Sequence, residues 1–160
     1  MKKIFIFDLD DTVIDSSHRA TIDDNYQLDL DAWKRDSTRE NIFKDSLLPL
    51  ADFMREVIAK GHYVWVCTAR NMQQADHDFL AFHRLTPNIV LSRQDEDNRA
   101  DHILKKKMIS KLLNLKPFKN CEVYFFDDKV ANRDAIKPLA TEVFYAWECN
   151  SSRLVNEEWA

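Results

Sequence analysis

A chain of 160 residues with 45% hydrophobic side chains has material for one domain with a sizeable core and too little for two. Its formal net charge of −4 provides no overall basic field, so any contact with a polyanion has to be a local patch. The single glycine, Gly61, excludes a Walker-type phosphate loop and a dinucleotide fingerprint, each of which needs several, and with them a kinase module in this chain.

Lys2 and Lys3 precede an apolar run as in a signal peptide, but Asp8 interrupts that run after four residues. Nothing later is long enough to span a membrane, so a soluble, cytoplasmic protein is expected. Ile4, Phe5, Ile6 and Phe7 are β-branched and aromatic without a break, which suits a central strand covered on both faces. The run ends in Asp8, Asp10, Asp11 and Thr12. Residues two apart in a strand share a face, so Asp8 and Asp10 should leave the sheet pointing the same way. In open α/β sheets ligands bind at that edge. The alternative is a polar turn with Thr12 capping a helix.

From Asp15 to Asp45 the sequence is polar and weakly periodic, with Tyr26 and Trp33 as isolated anchors. It reads as an extended loop or small flap, either a lid over the site or a surface addition. Leu47, Leu50, Phe53, Met54, Val57 and Ile58 then recur at helical spacing, and Gly61 is placed to end that helix. Residues 63–67 form a second buried strand ending at Thr68 and Arg70. A helix over about 72–85 is stopped by Pro87, and residues 88–91 form a third strand. An acidic segment, 94–98, leads into a helix over 99–115. Residues 122–126 make a fourth strand ending in Asp127 and Asp128. A short helix through Ile136 and Leu139 precedes a fifth strand over 142–146. This alternation predicts a doubly wound, Rossmann-like α/β fold with a mostly parallel five-stranded sheet flanked by helices and a minimal insert after the first strand.

Cys67, Cys121 and Cys149 are an odd number without close spacing, and read as reduced thiols, two of them packed within or beside strands. Cys67 stands too near Arg70 for a cysteine-phosphatase loop. The five histidines have no ligand-like spacing and are assigned no role.

Three strand ends of a parallel sheet share one edge, and here they carry Asp8 and Asp10, Thr68 and Arg70, then Asp127 and Asp128. Packing alone does not account for that coincidence. The order of these elements resembles the haloacid dehalogenase superfamily of phosphohydrolases over nearly the whole chain. Asp8-Leu-Asp10-Asp11-Thr12 fits its first motif, Thr68 its second, Lys105 its third and Asp127-Asp128 its fourth; Asp11 stands where many members have glycine. A closer resemblance is to the 3′-phosphatase domain of phage polynucleotide kinases, through Arg19, Arg70, the run Asp97-x-Arg99-x-Asp101-x-x-x-Lys105, and Asp127-Asp128-Lys129.

These resemblances imply a Mg²⁺-dependent phosphomonoesterase with Asp8 as nucleophile and Asp10 as proton donor and acceptor. That task requires a raised Asp10 pKa, which neighbouring carboxylates would promote. Asp8, the backbone carbonyl of Asp10, and Asp127 form the expected metal set, with Asp128 acting through water or as an orienting group. Thr68 and Lys105 would hold the transferring phosphoryl group, with Asp101 fixing Lys105 as an i, i+4 ion pair. Thr12, Arg19, Arg70 and Arg99 are candidate substrate contacts, the arginines as forks for phosphate. The expected substrate is a phosphorylated nucleotide or nucleic-acid end, with 3′-phosphates preferred. The nearest alternative is a 5′(3′)-deoxyribonucleotidase on free nucleotides, which the acidic net charge favours. A catalytically idle phosphate-binding module or a structural role leaves the filled chemical positions unexplained.

Overall fold

Five parallel strands form the central sheet of the computed structural model, which describes residues 2–152; the expected domain of 160 residues extends beyond these at residues 1 and 153–160. The strands are β1 (Lys3–Phe7), β4 (Tyr63–Thr68), β5 (Ile89–Ser92), β6 (Glu122–Asp127) and β7 (Glu142–Tyr145), in the spatial order β5-β4-β1-β6-β7. A separate antiparallel pair, β2 (Ile14–Asp15) and β3 (Ser46–Leu47), closes the neck of the insert. The helices are α1 (Leu30–Asp36), α2 (Arg39–Ile42), α3 (Leu50–Ala59), α4 (Gln74–Phe82), α5 (Asp101–Leu113), α6 (Val130–Ile136) and α7 (Ala146–Ser152). Among the described residues no helix is long and apolar enough to cross a membrane.

Side-chain alternation along β1 divides the core in two. Phe5 and Phe7 point to the face covered by α3, with Phe53, Met54 and Val57, whereas Ile4 and Ile6 meet Ile109 of α5 and Ile136 of α6 on the other. Equal register across β1, β6 and β7 stacks three rings. Phe7 and Phe126 lie 4.9 Å apart at 12°, and Phe126 and Phe144 lie 4.7 Å apart at 14°. Both pairs have the offset-stacking separations that add to area burial.

Several boundaries differ from the sequence reading, each for a local reason. The segment 15–45 is folded rather than extended. Asp29 accepts a hydrogen bond from the Ala32 amide to cap α1, and Thr38 does the same for Asn41 at α2. The helix expected from Leu47 begins at Leu50, because Ser46 and Leu47 pair with β2 and Pro49 occupies the preceding cap. Gly61, at φ +78, does end that helix. α5 starts at Asp101 instead of Arg99, since Arg93 donates to the Asp97 and Arg99 carbonyls and holds that stretch as a loop. Ala146 begins α7 rather than ending the last strand. Cys67 is buried in β4, while Cys149 is buried in α7.

Phe126→Ala removes the middle ring of the stack from a fully buried site. It should cost about 3–5 kcal/mol in urea unfolding, with Tm roughly 10 °C lower. A loss below about 1 kcal/mol would mean that the stack contributes no more than an exposed contact.

Candidate active site

The parallel register brings the ends of β1, β4 and β6 to one edge, with the Asp8 amide donating to the Phe126 carbonyl at 3.0 Å. The chain after Asp8 turns tightly. The amides of Thr12, Val13 and Ile14 all converge on the Leu9 carbonyl, and Asp11 sits at φ +62. Aspartate tolerates that left-handed conformation better than most side chains, which explains how it replaces the glycine common in the family. The turn carries Thr12 back beneath Asp8, where its hydroxyl donates to Asp8 Oδ2 at 3.0 Å.

Lys105 reaches the same carboxylate from α5. Its Nζ lies 2.7 Å from Asp8 Oδ1 and 2.7 Å from Asp127 Oδ2, with the ammonium buried. Burial alone would lower the Lys105 pKa, but the charges of Asp8 and Asp127 outweigh it and keep the group protonated. The expected pairing of Lys105 with Asp101 is not formed. Asp101 accepts from Arg93 at 2.9 Å and from Lys129 at 2.8 Å. An i, i+4 pair is worth only a few tenths of a kcal/mol, so two carboxylates buried at the strand ends attract the ammonium more strongly.

Asp10 points into a second network. Arg70 Nη2 lies 2.5 Å from Asp10 Oδ1 and its Nε 3.2 Å from Oδ2, while Arg70 Nη1 lies 2.5 Å from Asp76 Oδ1. The Ser16 hydroxyl adds a 2.6 Å bond to Asp10. Burial pushes the Asp10 carboxyl up, but Arg70, Ser16 and the charge of Arg19 prevail and hold it below the ordinary carboxylate range. This corrects the expected upward shift: the neighbour that counts is a cation from the next strand end, not another acid.

Arg19 and Arg70 are not open forks. Arg19 is buried, with Nε and Nη2 each 3.0 Å from the Asp45 oxygens, Nη1 2.8 Å from Ser37 Oγ, and the Trp33 ring 4.2 Å from its Cζ. Trp33 also lies 5.8 Å from the Arg70 Cζ, so the insert rests on the Asp10 side of the site. Arg99 is exposed and binds Asp97 at 2.5 and 2.9 Å. Thr68 is buried, and its Oγ1 accepts from the Arg70 amide at 3.0 Å.

The sequence reading missed Asp45, Asp76, Ser16, Trp33 and Asn132. His18, given no role, lies with its Nε2 2.7 Å from Asp45 Oδ1. Asn132 is buried, and its Nδ2 donates to both Asp127 oxygens at 3.1 and 3.2 Å. Its position five residues after Asp127, one turn into the following helix, was the available signal. Asp45, Asp76 and Trp33 are partners of Arg19 and Arg70, and the Ser16 hydroxyl is a partner of Asp10; of these only Trp33 is singled out in the sequence, as an anchor in a polar stretch.

One carboxylate oxygen from each of Asp8, Asp127 and Asp128 lies within 4.8 Å of the others. Burial and the charges of Asp127 and Asp128 raise the Asp8 pKa well above the ordinary range despite Lys105. Burial and Asp127 likewise bring Asp128 to about 6. Three crowded hard oxygen donors, with ionisation suppressed at Asp8 and Asp128, are what a divalent cation relieves, and the donor set suits Mg²⁺. The Asp10 carboxylate is engaged elsewhere, which leaves its backbone carbonyl as the only donor it can offer.

Comparison with known proteins bears on this geometry. In solved structures the fold is similar to a haloacid dehalogenase-like hydrolase of Streptococcus pneumoniae, at TM-score 0.66 and 12% identity over 90% of this chain and 84% of that one. It is also similar to a chain of the Pnkp1/Rnl/Hen1 RNA repair complex, at TM-score 0.64 and 22% identity over 91% of this chain and 42% of that one. The chain thus has the fold of the haloacid dehalogenase-like hydrolases, a parallel five-stranded sheet flanked by helices. Residues 1–133 match the family described as bacteriophage T5 5′-deoxynucleotidase, and the chain belongs to that family. The 5′-deoxynucleotidase of Escherichia phage T5 is 34% identical over 84 residues, which is 50% of this chain and 34% of that protein. The chain therefore matches about a third of that relative's length.

The raised Asp128 pKa has a testable sign. The folded carboxyl binds its proton near pH 6, the unfolded one near pH 3.9. At neutral pH the ionised group therefore opposes folding, and stability rises as pH falls through 6 toward 4. In chelator at pH 7, Asp128→Asn should raise stability on the order of 1 kcal/mol after allowance for solvent screening. Calorimetry should show Tm about 2–4 °C higher, with less gain on acidification than in the wild type. An unchanged or lower Tm would show that the carboxylates do not repel one another.

Proposed function

We propose that this protein is a Mg²⁺-dependent phosphomonoesterase that removes the phosphate from 5′-deoxynucleoside monophosphates through an aspartyl-phosphate on Asp8. The observation that carries the reaction class is the Asp8 carboxylate itself. It is held at one oxygen by Lys105 and at the other by Thr12, at the mouth of a parallel sheet and beside Asp127 and Asp128. The substrate reading rests on family membership. It is supported by the inward orientation of Arg19 and Arg70, which binds them to Asp45, Asp10 and Asp76 rather than presenting them to a distant phosphodiester. The preference for 3′-phosphorylated ends depended on those arginines, so the free mononucleotide becomes the better reading.

Asp8 attacks phosphorus, an Asp8 oxygen–phosphorus bond forms, and the bond to the 5′ oxygen breaks. Asp10 gives its proton to that oxygen. Water then attacks phosphorus, loses a proton to Asp10, and releases Asp8 and inorganic phosphate. Lys105 holds the nucleophile and keeps positive charge beside the reacting group. Beside Arg70, Asp10 is ionised; to protonate the leaving oxygen it has to leave Arg70 and take up a proton from solvent, and the proton it then accepts from the attacking water restores that acid form for the next turnover. Mg²⁺ held by Asp8, Asp127 and Asp128 would neutralise the negative charge that otherwise repels nucleophile from substrate. Residues 15–45 act as a minimal cap, resting through Trp33 on the two buried arginines.

The test is a panel of 5′- and 3′-deoxynucleoside monophosphates and 5′- and 3′-phosphorylated oligonucleotides, assayed for phosphate release. The 5′-mononucleotides should have the highest kcat/KM. Activity should vanish in EDTA, return with Mg²⁺, and be absent in Asp8→Asn. A preference for 3′-phosphorylated oligonucleotides would restore the end-processing reading. Full turnover by Asp8→Asn would rule out the covalent mechanism, and no release from any monoester would leave a phosphate-binding module.

A further inference from the structure

Asn150 lies in the last described helix, beyond residues 1–133 that match the family, yet it touches the turn that follows Asp8. Its Nδ2 donates to the Thr12 backbone carbonyl at 3.0 Å, and its Oδ1 accepts from the Leu50 amide at 2.8 Å. Both contacts have a local cause. The first amides of a helix have no partner within it, and the cap of α3 is Pro49, whose side chain has no acceptor. Asn150 supplies that acceptor from 100 residues away and uses its remaining amide group on Thr12.

The consequence runs to the site. Thr12 is fully buried, and its hydroxyl holds Asp8 Oδ2 while Lys105 holds Oδ1. Lys105 is anchored by Asp127, but the Thr12 hydroxyl is placed only as well as the turn beneath it. Three amides tie the inside of that turn to Leu9, and Asn150 grips its outer carbonyl. We propose that Asn150 is a positioning residue for the reaction: by clamping the Thr12 carbonyl to the start of α3 it sets the Thr12 hydroxyl, and through it the rotation of the Asp8 carboxylate. This rests on the proposed phosphatase activity but not on which nucleotide is preferred. A small misplacement of a reacting group is costly even when its cause is remote.

Asn150→Asp is nearly isosteric, keeps the acceptor for Leu50 and replaces the donor with an oxygen that repels the Thr12 carbonyl. With p-nitrophenyl phosphate and Mg²⁺, kcat should fall about 10- to 100-fold with KM little changed, at a temperature where circular dichroism shows the variant folded. Asn150→Ala, which loses both bonds, should show the same kcat loss with a lower Tm, and serves as the test if the aspartate variant does not fold. Thr12→Val removes the hydroxyl that Asn150 is argued to act through. The double variant Thr12→Val/Asn150→Asp should then be no slower than Thr12→Val alone. Independent, multiplying losses in the double variant would overturn the proposal. So would a folded variant with kcat within about twofold of wild type, or a loss that disappears on cooling. A wrong nucleotide preference would surface in the substrate panel and leave this cycle readable.

Discussion

The Lys105 ammonium, buried between Asp8 and Asp127, is the interaction on which the arrangement of the site depends. Removing an ammonium from water costs several kcal/mol, and the fold offsets this only by delivering two carboxylates from adjacent parallel strands to one point. Neither carboxylate would be stable there alone. Asp127 needs Lys105, the Asn132 amide and the Lys129 backbone amide, while Asp8 needs Lys105 and Thr12. The cluster still has more negative than positive charge, because Asp128 adds a third carboxylate. That imbalance, which raises the pKa of Asp8 and Asp128, is one that a bound dication would relieve.

A second buried network lies beside the first and has a different balance. Asp10, Asp45 and Asp76 face Arg19 and Arg70, so three carboxylates here share two guanidinium groups, against three and one ammonium in the first network. Trp33 covers both guanidinium groups from the insert, and Ser37 ties α1 to Arg19. A polar insert with little core of its own is thereby given a defined seat. Its position is set by charge pairing, by the β2–β3 neck, and by Ile42 and Phe43, which pack into the core beside Phe79. Of Asp8 and Asp10, the first therefore belongs to the carboxylate cluster and the second to the arginine side.

The elements of the fold were legible because each is encoded by neighbours in sequence. The unbroken apolar run 4–7 identified a central strand, the spacing of Phe53, Met54 and Val57 a helix, and Gly61 its end. The errors lie at boundaries where a partner far along the chain intervenes, as where β2 takes Ser46 and Leu47 from the start of α3. Spacing also brought Asp8, Thr68, Asp127 and Asp128 to one edge, because parallel strands place their ends together whatever lies between them, whereas Thr12 and Lys105 were marked by the family resemblance.

Pairings among those residues were a different matter. From sequence, Asp101 is the natural partner of Lys105 one turn away and Arg19 is an available fork; in the folded chain Lys105 chooses Asp8, 97 residues distant, and Arg19 is enclosed by Asp45. Periodicity is a property of adjacent residues and survives in the sequence. The choice of ionic partner is made by desolvation, which exists only once the sheet has closed over the charges and left the nearest buried acid as the strongest attractor.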